Sequence, residues 1–376
     1  MKISTFAVEQ WMNAFETGCR YNLAETCVAS YTLRELLEAV GAKDTILEQL
    51  LPLQMTYGAI FGSERLRAAI AALYTVRKPD DVLITHGAIG ANSLVYQALI
   101  EPGDRVVSLV PNYQQHYSIP ESLGADVQRL SLRPQNAYLP DLAQLRRLVT
   151  PGTKLIAFSN PNNPTGSLLD RSLLGEVIRI ADSVGAYVLS DEVYRGTNQE
   201  DDELTPAVAD LYPKGISIGS MSKAFALAGL RLGWICGPPQ ILRAAEIHRD
   251  YNTISVGIVD DVLSSIALEN RDKVLARSRA IVRQNLATLD RWMQEEGGLS
   301  YVKPKAGTIA LLRYSFDIPS RDFCVRLLEE TGVLFTPGSA FELEGCVRIG
   351  YANAHPVLEE GLRETSRFLR RLGTSL

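Results

Sequence analysis

A lysine, two serines and an arginine lie close together in one segment of the chain. Ser220 and Ser222 precede Lys223, and Arg231 follows eight residues after the lysine, among small and apolar residues. A lysine amine can form an imine with an aldehyde, whereas serine hydroxyls and an arginine guanidinium can hold a phosphate. Residues 216–219, just before them, have the pattern of a short buried strand. The segment predicts a site for pyridoxal 5'-phosphate (PLP), which carries both an aldehyde and a phosphate.

Two further apolar runs end in polar side chains that could face the same cofactor. Residues 155–159 lead into a turn-forming segment that contains Asn163, and residues 186–190 lead to Asp191 and Tyr194. Ligands of open α/β sheets bind just beyond such strand ends. A carboxylate there can pair with the protonated pyridine nitrogen of PLP, whose ring then accepts the electrons released at the substrate α-carbon. Asp191 is the predicted partner of that nitrogen.

These motifs occur in a fixed order: an asparagine before Pro-Thr-Gly, an Asp-x-x-Tyr, a Ser-x-x-Lys, and an arginine eight residues after the lysine. In this the chain resembles the class I/II aminotransferase family of fold-type I PLP enzymes, from about residue 51 to its end. The resemblance implies that Lys223 is the catalytic Schiff-base lysine and that Asp191 pairs with the pyridine nitrogen. It also implies that Asn163 and Tyr194 bind the cofactor's 3'-oxygen, with Tyr194 close to the chemistry. The residues that it assigns to the phosphate are Ser220, Ser222 and Arg231.

Upstream residues extend the resemblance to the other side of the cofactor. Residues 81–85 read as a strand that breaks at Gly87, before an apolar helix. A helix start of this kind offers free backbone N–H groups to an anion. The resemblance makes Gly87, Ala88 and Ile89 backbone ligands of the phosphate, and it makes Tyr113 the aromatic residue that stacks on the pyridine ring.

Three more family positions concern a partner subunit, the substrate and the backbone. Tyr57 matches a tyrosine that crosses a dimer interface to the partner's phosphate, so the resemblance implies a homodimer. Arg348 matches the arginine that binds the substrate α-carboxylate, for which its bidentate fork is suited. Val110-Pro111 and Asn163-Pro164 match positions at which the family has cis peptide bonds.

Composition is compatible with a large enzyme and excludes several other classes. The chain has 376 residues, 46% of them hydrophobic, and a net charge of −5. The negative charge argues against nucleic acid or an anionic membrane as a standing partner, and no apolar run reaches the roughly 20 residues of a membrane span. The five cysteines read as reduced thiols without metal-ligand spacing, and no metal is expected. No signal-peptide core is visible at the N-terminus, and a cytoplasmic location is expected.

Alternating strands and helices predict an α/β fold. We expect a large PLP-binding domain over residues 46–257 with a mostly parallel, seven-stranded type of sheet. A smaller α+β domain is expected over residues 258–376, and residues 1–45 are expected to form an N-terminal arm and part of that small domain. The small domain should contain a long helix with Val282, Leu286, Leu289 and Met293 on its inner face, strands at 307–314, 333–336 and 346–351, and a helix at 320–331.

The motifs predict the cofactor more narrowly than the reaction. In every case Lys223 removes the α-proton. Return of the proton to the cofactor gives transamination, the reaction expected here. Departure of a side-chain leaving group gives instead a lyase, such as a β-lyase, or a cyclase.

Three segments, 113–117, 121–124 and 249–253, are similar to the capreomycidine and enduracididine synthase branch, whose members dehydrate and cyclise hydroxylated arginine. A guanidinium substrate needs carboxylates at the side-chain end of the pocket. The candidates are Glu9, Glu16 and Glu25, with Glu25 favoured because its neighbours are mostly apolar. The alternative for each is a solvated position on the N-terminal arm.

Overall fold

A seven-stranded sheet forms the centre of the structure, a computed structural model that describes residues 2–374. The strands are, in chain order, β1 (Tyr21–Asn22), β2 (Val82–His86), β3 (Arg105–Val110), β4 (Asp126–Ser131), β5 (Thr153–Ser159), β6 (Tyr187–Asp191), β7 (Gly215–Ser220), β8 (Leu232–Cys236), β9 (Leu299–Tyr301), β10 (Ile309–Tyr314), β11 (Val333–Leu334), β12 (Thr336–Pro337) and β13 (Cys346–Gly350).

The helices alternate with these strands through most of the chain. They are α1 (Ala7–Phe15), α2 (Leu33–Val40), α3 (Ile46–Leu50), α4 (Glu64–Ala71), α5 (Gly87–Leu99), α6 (Gln115–Ser122), α7 (Leu142–Leu148), α8 (Arg171–Asp182), α9 (Val208–Leu211), α10 (Pro239–Asp250), α11 (Ile258–Glu269), α12 (Arg271–Glu295), α13 (Ser320–Thr331) and α14 (His355–Thr374). Within the described range, none is both long and apolar enough to cross a membrane.

The central sheet has the strand order β2-β8-β7-β6-β5-β3-β4. Only β8 runs against its neighbours, β2 and β7, and the other pairs are parallel. Strand β5 is apolar without alternation because helices cover both faces of the sheet. Leu155 and Ala157 pack on the side of α5 and α10, whereas Ile156 and Phe158 pack on the side of α8. The predicted mostly parallel, seven-stranded α/β sheet is confirmed.

A second, antiparallel sheet with the order β12-β13-β10-β9 lies in the C-terminal part of the chain. The predicted helix at 320–331 is confirmed as α13, and the predicted long helix is α12. The prediction of one strand at 333–336 is wrong, because the chain changes sheets at Phe335. Strand β11 pairs with the N-terminal β1, and β12 pairs with β13, so this split depends on a partner that is distant in sequence.

The N-terminal segment packs on both parts of the molecule. Strand β1 joins β11, and Val8 of α1 packs against Ala340 and Phe341 of a short 3-10 helix. The buried face of α2 instead joins the core beneath the large sheet. The domain boundaries near residues 45 and 257 stay predictions.

Candidate active site

The carboxyl ends of three neighbouring parallel strands form one wall of the site. Ser159, the last residue of β5, is in register with Asp191, the last residue of β6, and Asp191 is in register with Ile218 of β7. Ser220 ends β7 two residues later. Because adjacent parallel strands end at one edge, side chains far apart in sequence meet there.

A cavity of about 320 Å³ opens at this edge. The predicted site residues that line it are Glu9, Glu16, Glu25, Ala88, Ile89, Tyr113, Asn163, Asp191, Tyr194, Ser220, Ser222, Lys223, Arg231 and Arg348. Gly87 lies beside it, since a Cβ atom there would be 3.1 Å from Nη2 of Arg231. Tyr57 is 65% exposed and lines a separate groove with Ser63 and Ile258.

Lys223 projects into the cavity opposite the N-terminal segment. Its Nζ donates to Oγ1 of Thr26 at 2.6 Å, and Sγ of Cys27 lies 3.4 Å away. Burial by itself lowers the pKa of Lys223, but Cys27, Tyr194 and Glu25 together raise it above its ordinary value. Burial also raises the pKa of the Cys27 thiol to about 11. At neutral pH the anion that faces Lys223 is therefore the Glu25 carboxylate.

Asp191 is held by a buried polar network. Its Oδ2 accepts a hydrogen bond from Nδ2 of Asn92 at 2.8 Å, and its Oδ1 accepts one from the Val193 N–H at 3.2 Å. Nε2 of His116 lies 3.8 Å from Oδ2, and Nδ1 of the same ring is 2.8 Å from the hydroxyl of Tyr96. These contacts fix the carboxylate at the end of β6.

Arg348 reaches the cavity from β13 of the small sheet and is 2% exposed. Nη1 donates to Oδ1 of Asn163 at 3.1 Å. Nη2 donates to the Ala24 carbonyl at 3.2 Å and to Oγ1 of Thr336 at 3.1 Å. Burial lowers the pKa of Arg348 from its ordinary value. Its Nε is buried without a partner among the described residues, so the guanidinium retains capacity for an acceptor.

The other end of the cavity has the character of an anion site. Helix α5 begins at Gly87, whose φ of +67° favours glycine. A Cβ atom at Gly233 of β8 would lie 2.4 Å from the Gly87 carbonyl carbon, so this close approach also requires glycine. The first N–H groups of the helix have no carbonyl partner within it. Together with Ser220, Ser222 and Arg231, they form a donor set suited to a phosphate.

The N-terminal helix α1 covers the cavity near Tyr113. Oε1 of Glu9 accepts a hydrogen bond from the Tyr113 hydroxyl at 2.8 Å, and the Phe6 and Tyr113 ring centroids are 4.8 Å apart. Burial and the Glu9 carboxylate both raise the pKa of Tyr113. The side chain of Gln114 holds the start of the helix by accepting from the Ala7 N–H at 2.9 Å.

Three carboxylates therefore line the side of the cavity formed by the N-terminal segment. Oε1 of Glu25 accepts from the N–H groups of Thr26 at 2.7 Å and Cys27 at 2.8 Å. Burial by itself raises the pKa of Glu25, but Lys223 and these hydrogen bonds lower it overall. Burial and the charge of Glu25 raise the pKa of Glu16. Glu9, Glu16 and Glu25 are half-buried at the cavity wall, and their contact with a substrate stays a prediction.

Asn163 and Tyr194 also line the cavity. Asn163 accepts from Arg348, and Tyr194 lies near the charges of both Lys223 and Arg348. Burial raises the pKa of Tyr194, and Lys223, Arg348 and the Thr26 hydroxyl act in the opposite direction. The peptide bonds Val110-Pro111 and Asn163-Pro164 are cis, as predicted, and so is Asn160-Pro161.

Several polar residues of the site were not predicted from the sequence. Thr26 and Cys27 contact Lys223, while Asn92 and His116 surround Asp191. Asn92 gave one signal, since it is an amide inside the otherwise mostly apolar buried face of α5. Thr26 lies next to the predicted Glu25, but nothing in the sequence indicates that this threonine contacts a lysine.

The donor set fits PLP when tested group by group. The helix start and the hydroxyls suit a phosphate, a fixed carboxylate suits a protonated pyridine nitrogen, and a buried lysine suits an aldehyde. The partnerless Nε of Arg348 adds a donor for an acceptor that the protein itself does not supply.

Comparisons with known proteins agree with this chemistry. The family model described as aminotransferase class I and II matches residues 39–362, so the similarity begins before residue 51 and ends before the last residue. Capreomycidine synthase from Streptomyces vinaceus is 30% identical over 374 residues, which covers 98% of this chain and 96% of that protein.

Two solved structures resemble the whole described fold. A PLP-dependent aminotransferase from Streptococcus suis 89-1591 has 43% identity and a TM-score of 0.95, covering 99% of each chain. The PLP-dependent cyclase OrfR has 28% identity and a TM-score of 0.92, covering 99% of this chain and 98% of that one.

Proposed function

The chain belongs to the class I and II aminotransferase family of PLP-dependent enzymes, and we propose that it transaminates an L-amino acid with a cationic side chain. One observation carries this proposal. Lys223 and Arg348 line the same cavity as the three carboxylates Glu9, Glu16 and Glu25.

The proposed roles at the reacting centre follow from position and chemistry. When bound, PLP supplies a carbon that bonds an amine and a ring that accepts electrons from the substrate α-carbon. Lys223 is the amine that holds the cofactor and then moves the α-proton. Asp191 keeps a proton on the pyridine nitrogen, and Asn163 and Tyr194 bind the 3'-oxygen. Tyr113 stacks on the ring.

The remaining cofactor contacts concern the phosphate and a second subunit. The proposed phosphate ligands are Ser220, Ser222, Arg231 and the backbone at Gly87, Ala88 and Ile89. Tyr57 is exposed, which leaves it available to reach the phosphate of a partner in a homodimer. Sedimentation at micromolar concentration tests this assembly, and a monomer that binds PLP normally would contradict the role of Tyr57.

The charges that line the cavity indicate that the side chain of the substrate is cationic. Among the described lining residues, the basic side chains are Lys223, Arg231 and Arg348. In the proposed complex Lys223 bonds the cofactor, Arg231 faces its phosphate and Arg348 faces the substrate α-carboxylate. Glu9, Glu16 and Glu25 are then left to face the substrate side chain. These carboxylates are half-buried, and a bound substrate would cover them further. Covering a carboxylate is costly without a positive partner, and a guanidinium or ammonium group supplies one.

The same three carboxylates restrict the amino-group acceptor. A dicarboxylic acid such as 2-oxoglutarate would place its second carboxylate near like charges, which is unfavourable. We therefore expect a monocarboxylic acceptor such as pyruvate to be used faster than 2-oxoglutarate.

A second candidate reaction is acceptor-independent dehydration and cyclisation of a hydroxylated arginine. The carboxylates of Glu9, Glu16 and Glu25 favour it as well, because a guanidinium is the group that must be held. The similarity to proteins named capreomycidine synthase and PLP-dependent cyclase supports it further. Both candidates share the removal of the α-proton by Lys223.

Mass spectrometry of PLP-loaded enzyme separates these reactions. The substrates are a panel of L-amino acids that includes arginine, its neutral isostere citrulline and 4-hydroxyarginine, each with pyruvate, with 2-oxoglutarate and without acceptor. Acceptor-dependent keto acid from a cationic amino acid supports transamination, whereas acceptor-independent loss of water from 4-hydroxyarginine supports cyclisation. Equal use of citrulline and arginine contradicts the cationic pocket, and Lys223→Ala is the control for enzyme-independent reaction.

A further inference from the structure

The hydroxyl of Thr26 is the group that receives the free amine of Lys223. The distance from Nζ to Oγ1 is 2.6 Å, and Thr26 is only 9% exposed. The same hydroxyl lies near enough to Tyr194 to influence the pKa of its phenol. Thr26 therefore contacts the lysine from the N-terminal segment and lies close to the phenol.

Other contacts, and not this hydroxyl, hold the backbone of the loop. The Thr26 N–H donates to Oε1 of Glu25 at 2.7 Å, and the Thr26 carbonyl accepts from Oγ1 of Thr308 at 2.6 Å. The Gly350 N–H donates to the Leu23 carbonyl at 2.7 Å, and a Cβ atom at Gly350 would lie only 1.7 Å from the Glu25 carbonyl oxygen. The loop is thus packed directly on β13, and Oγ1 remains free to serve the lysine.

A hydroxyl suits an amine whose protonation changes during a reaction. It accepts a hydrogen bond from the ammonium form and can donate one to the neutral amine. The neighbouring Cys27 thiol is a weaker partner, at 3.4 Å from Nζ. Of the two side chains, Thr26 is the stronger partner of Nζ in both states.

We infer that Thr26 is a positioning residue, which holds the amine of Lys223 in place whenever that amine is not bonded to the cofactor. Its part in α-proton transfer rests on the proposed function. Its part in the cofactor-free enzyme does not, and the two parts are tested separately.

The first test follows PLP uptake by cofactor-free enzyme as a function of pH. Uptake needs the neutral amine, and the appearance of the visible absorbance of lysine-bound PLP gives its rate. Thr26→Val removes the acceptor of the ammonium form, so the pH midpoint should fall by about half a unit to one unit. Thr26→Ser should keep the wild-type midpoint and is the matched control, because it keeps the hydroxyl. An unchanged midpoint in Thr26→Val overturns the inference.

The second test measures exchange of the substrate α-proton in deuterium oxide by NMR. The probe is the amino acid of the panel that wild-type enzyme exchanges fastest, and the fastest rate of each protein over a range of pH is compared. Thr26→Val should exchange at least about tenfold more slowly, with Thr26→Ser within about threefold of wild type. Equal rates in Thr26→Val and wild type contradict the inference. Absence of exchange by wild-type enzyme with every amino acid would instead contradict the proposed function. Thr26→Ala replaces the valine variant if the latter does not fold.

Discussion

Replacement of Arg348 by lysine gives the sharpest test of how the substrate is held. A guanidinium has five N–H donors, and three of them bond Asn163, Ala24 and Thr336. Two remain, one on Nη1 and one on the buried Nε. They point to different sides of the guanidinium, so we expect the substrate α-carboxylate to accept one of them. Lysine keeps the charge, but its single ammonium cannot replace the Arg348 contacts and also direct an N–H group at the substrate, so we expect this bond to be lost. A hydrogen bond to a charged group contributes about 1.5–3 kcal/mol, which corresponds to a fall in kcat/KM of about 10- to 150-fold.

The variant also affects stability, which the assay must separate from binding. Lysine leaves at least one of the former acceptors without a partner, at a cost of about 1–3 kcal/mol in the free energy of unfolding. The assay therefore compares an amino acid with the amine that lacks its α-carboxylate, for example arginine with agmatine, by NMR exchange of the proton next to nitrogen. Arg348→Lys should slow exchange of the amino acid by the factor given above and should leave exchange of the amine unchanged. Arg313→Lys, at an exposed position on the neighbouring strand β10, is the matched control.

Two results would refute this reasoning. Equal losses on arginine and agmatine would mean that the variant distorts the whole site and that Arg348 does not act on the carboxylate. An unchanged rate on arginine would mean that another group holds the carboxylate.

The remaining predictions concern the cofactor, specificity and pH. Lys223→Ala should abolish the visible absorbance of covalently bound PLP, and persistence of that band in a spectrum of purified protein would disprove the assignment. Glu9→Gln, Glu16→Gln and Glu25→Gln should each reduce kcat/KM for arginine relative to citrulline by about tenfold, and a parallel fall on both substrates would argue against contact with the side chain. Burial raises the pKa of Glu192 from 4.5 to about 7, so the folded protein binds a proton that the unfolded chain releases. Titration of Glu192 should therefore subtract about 3 kcal/mol from the free energy of unfolding as pH rises from 4.5 to 7. Urea unfolding of wild type and Glu192→Gln at both ends of this range should show a difference between the two proteins that changes by this amount.

The residues at the edge of the sheet could be predicted from the sequence, because short segments of the chain are enough to identify them. Apolar runs without alternation mark buried parallel strands, and the residue after each run lies at the edge of the sheet. Asn163 and Asp191 were placed in this way, with their roles taken from the order and spacing of the family motifs. The same reasoning could not find Asn92, because its contact joins residues 99 positions apart. Nothing in the pattern of α5 indicates which strand end its amide faces.

The N-terminal glutamates show a second limit of the sequence. The polar and apolar residues of this segment are compatible with a solvated arm or with a wall of the pocket. Two distant contacts decide between them: β1 pairs with β11, and Nε1 of Trp11 donates to the Phe335 carbonyl at 2.8 Å. These contacts lay α1 across the cavity and bring Glu9 to Tyr113. Both contacts are made to the short segment around Phe335. This is also the segment that was wrongly predicted as one continuous strand.

The glutamates also differ from one another in a way that bears on the two candidate reactions. Transamination moves one proton between the α-carbon and the cofactor, which the single amine of Lys223 can do. Loss of a side-chain hydroxyl needs in addition an acid that protonates the departing oxygen. The surroundings lower the pKa of Glu25 but raise that of Glu16, so Glu16 takes up a proton more readily than Glu25 does. The environment thus separates the two carboxylates. Transamination needs them only as partners of a cationic side chain, whereas dehydration needs one of them as an acid.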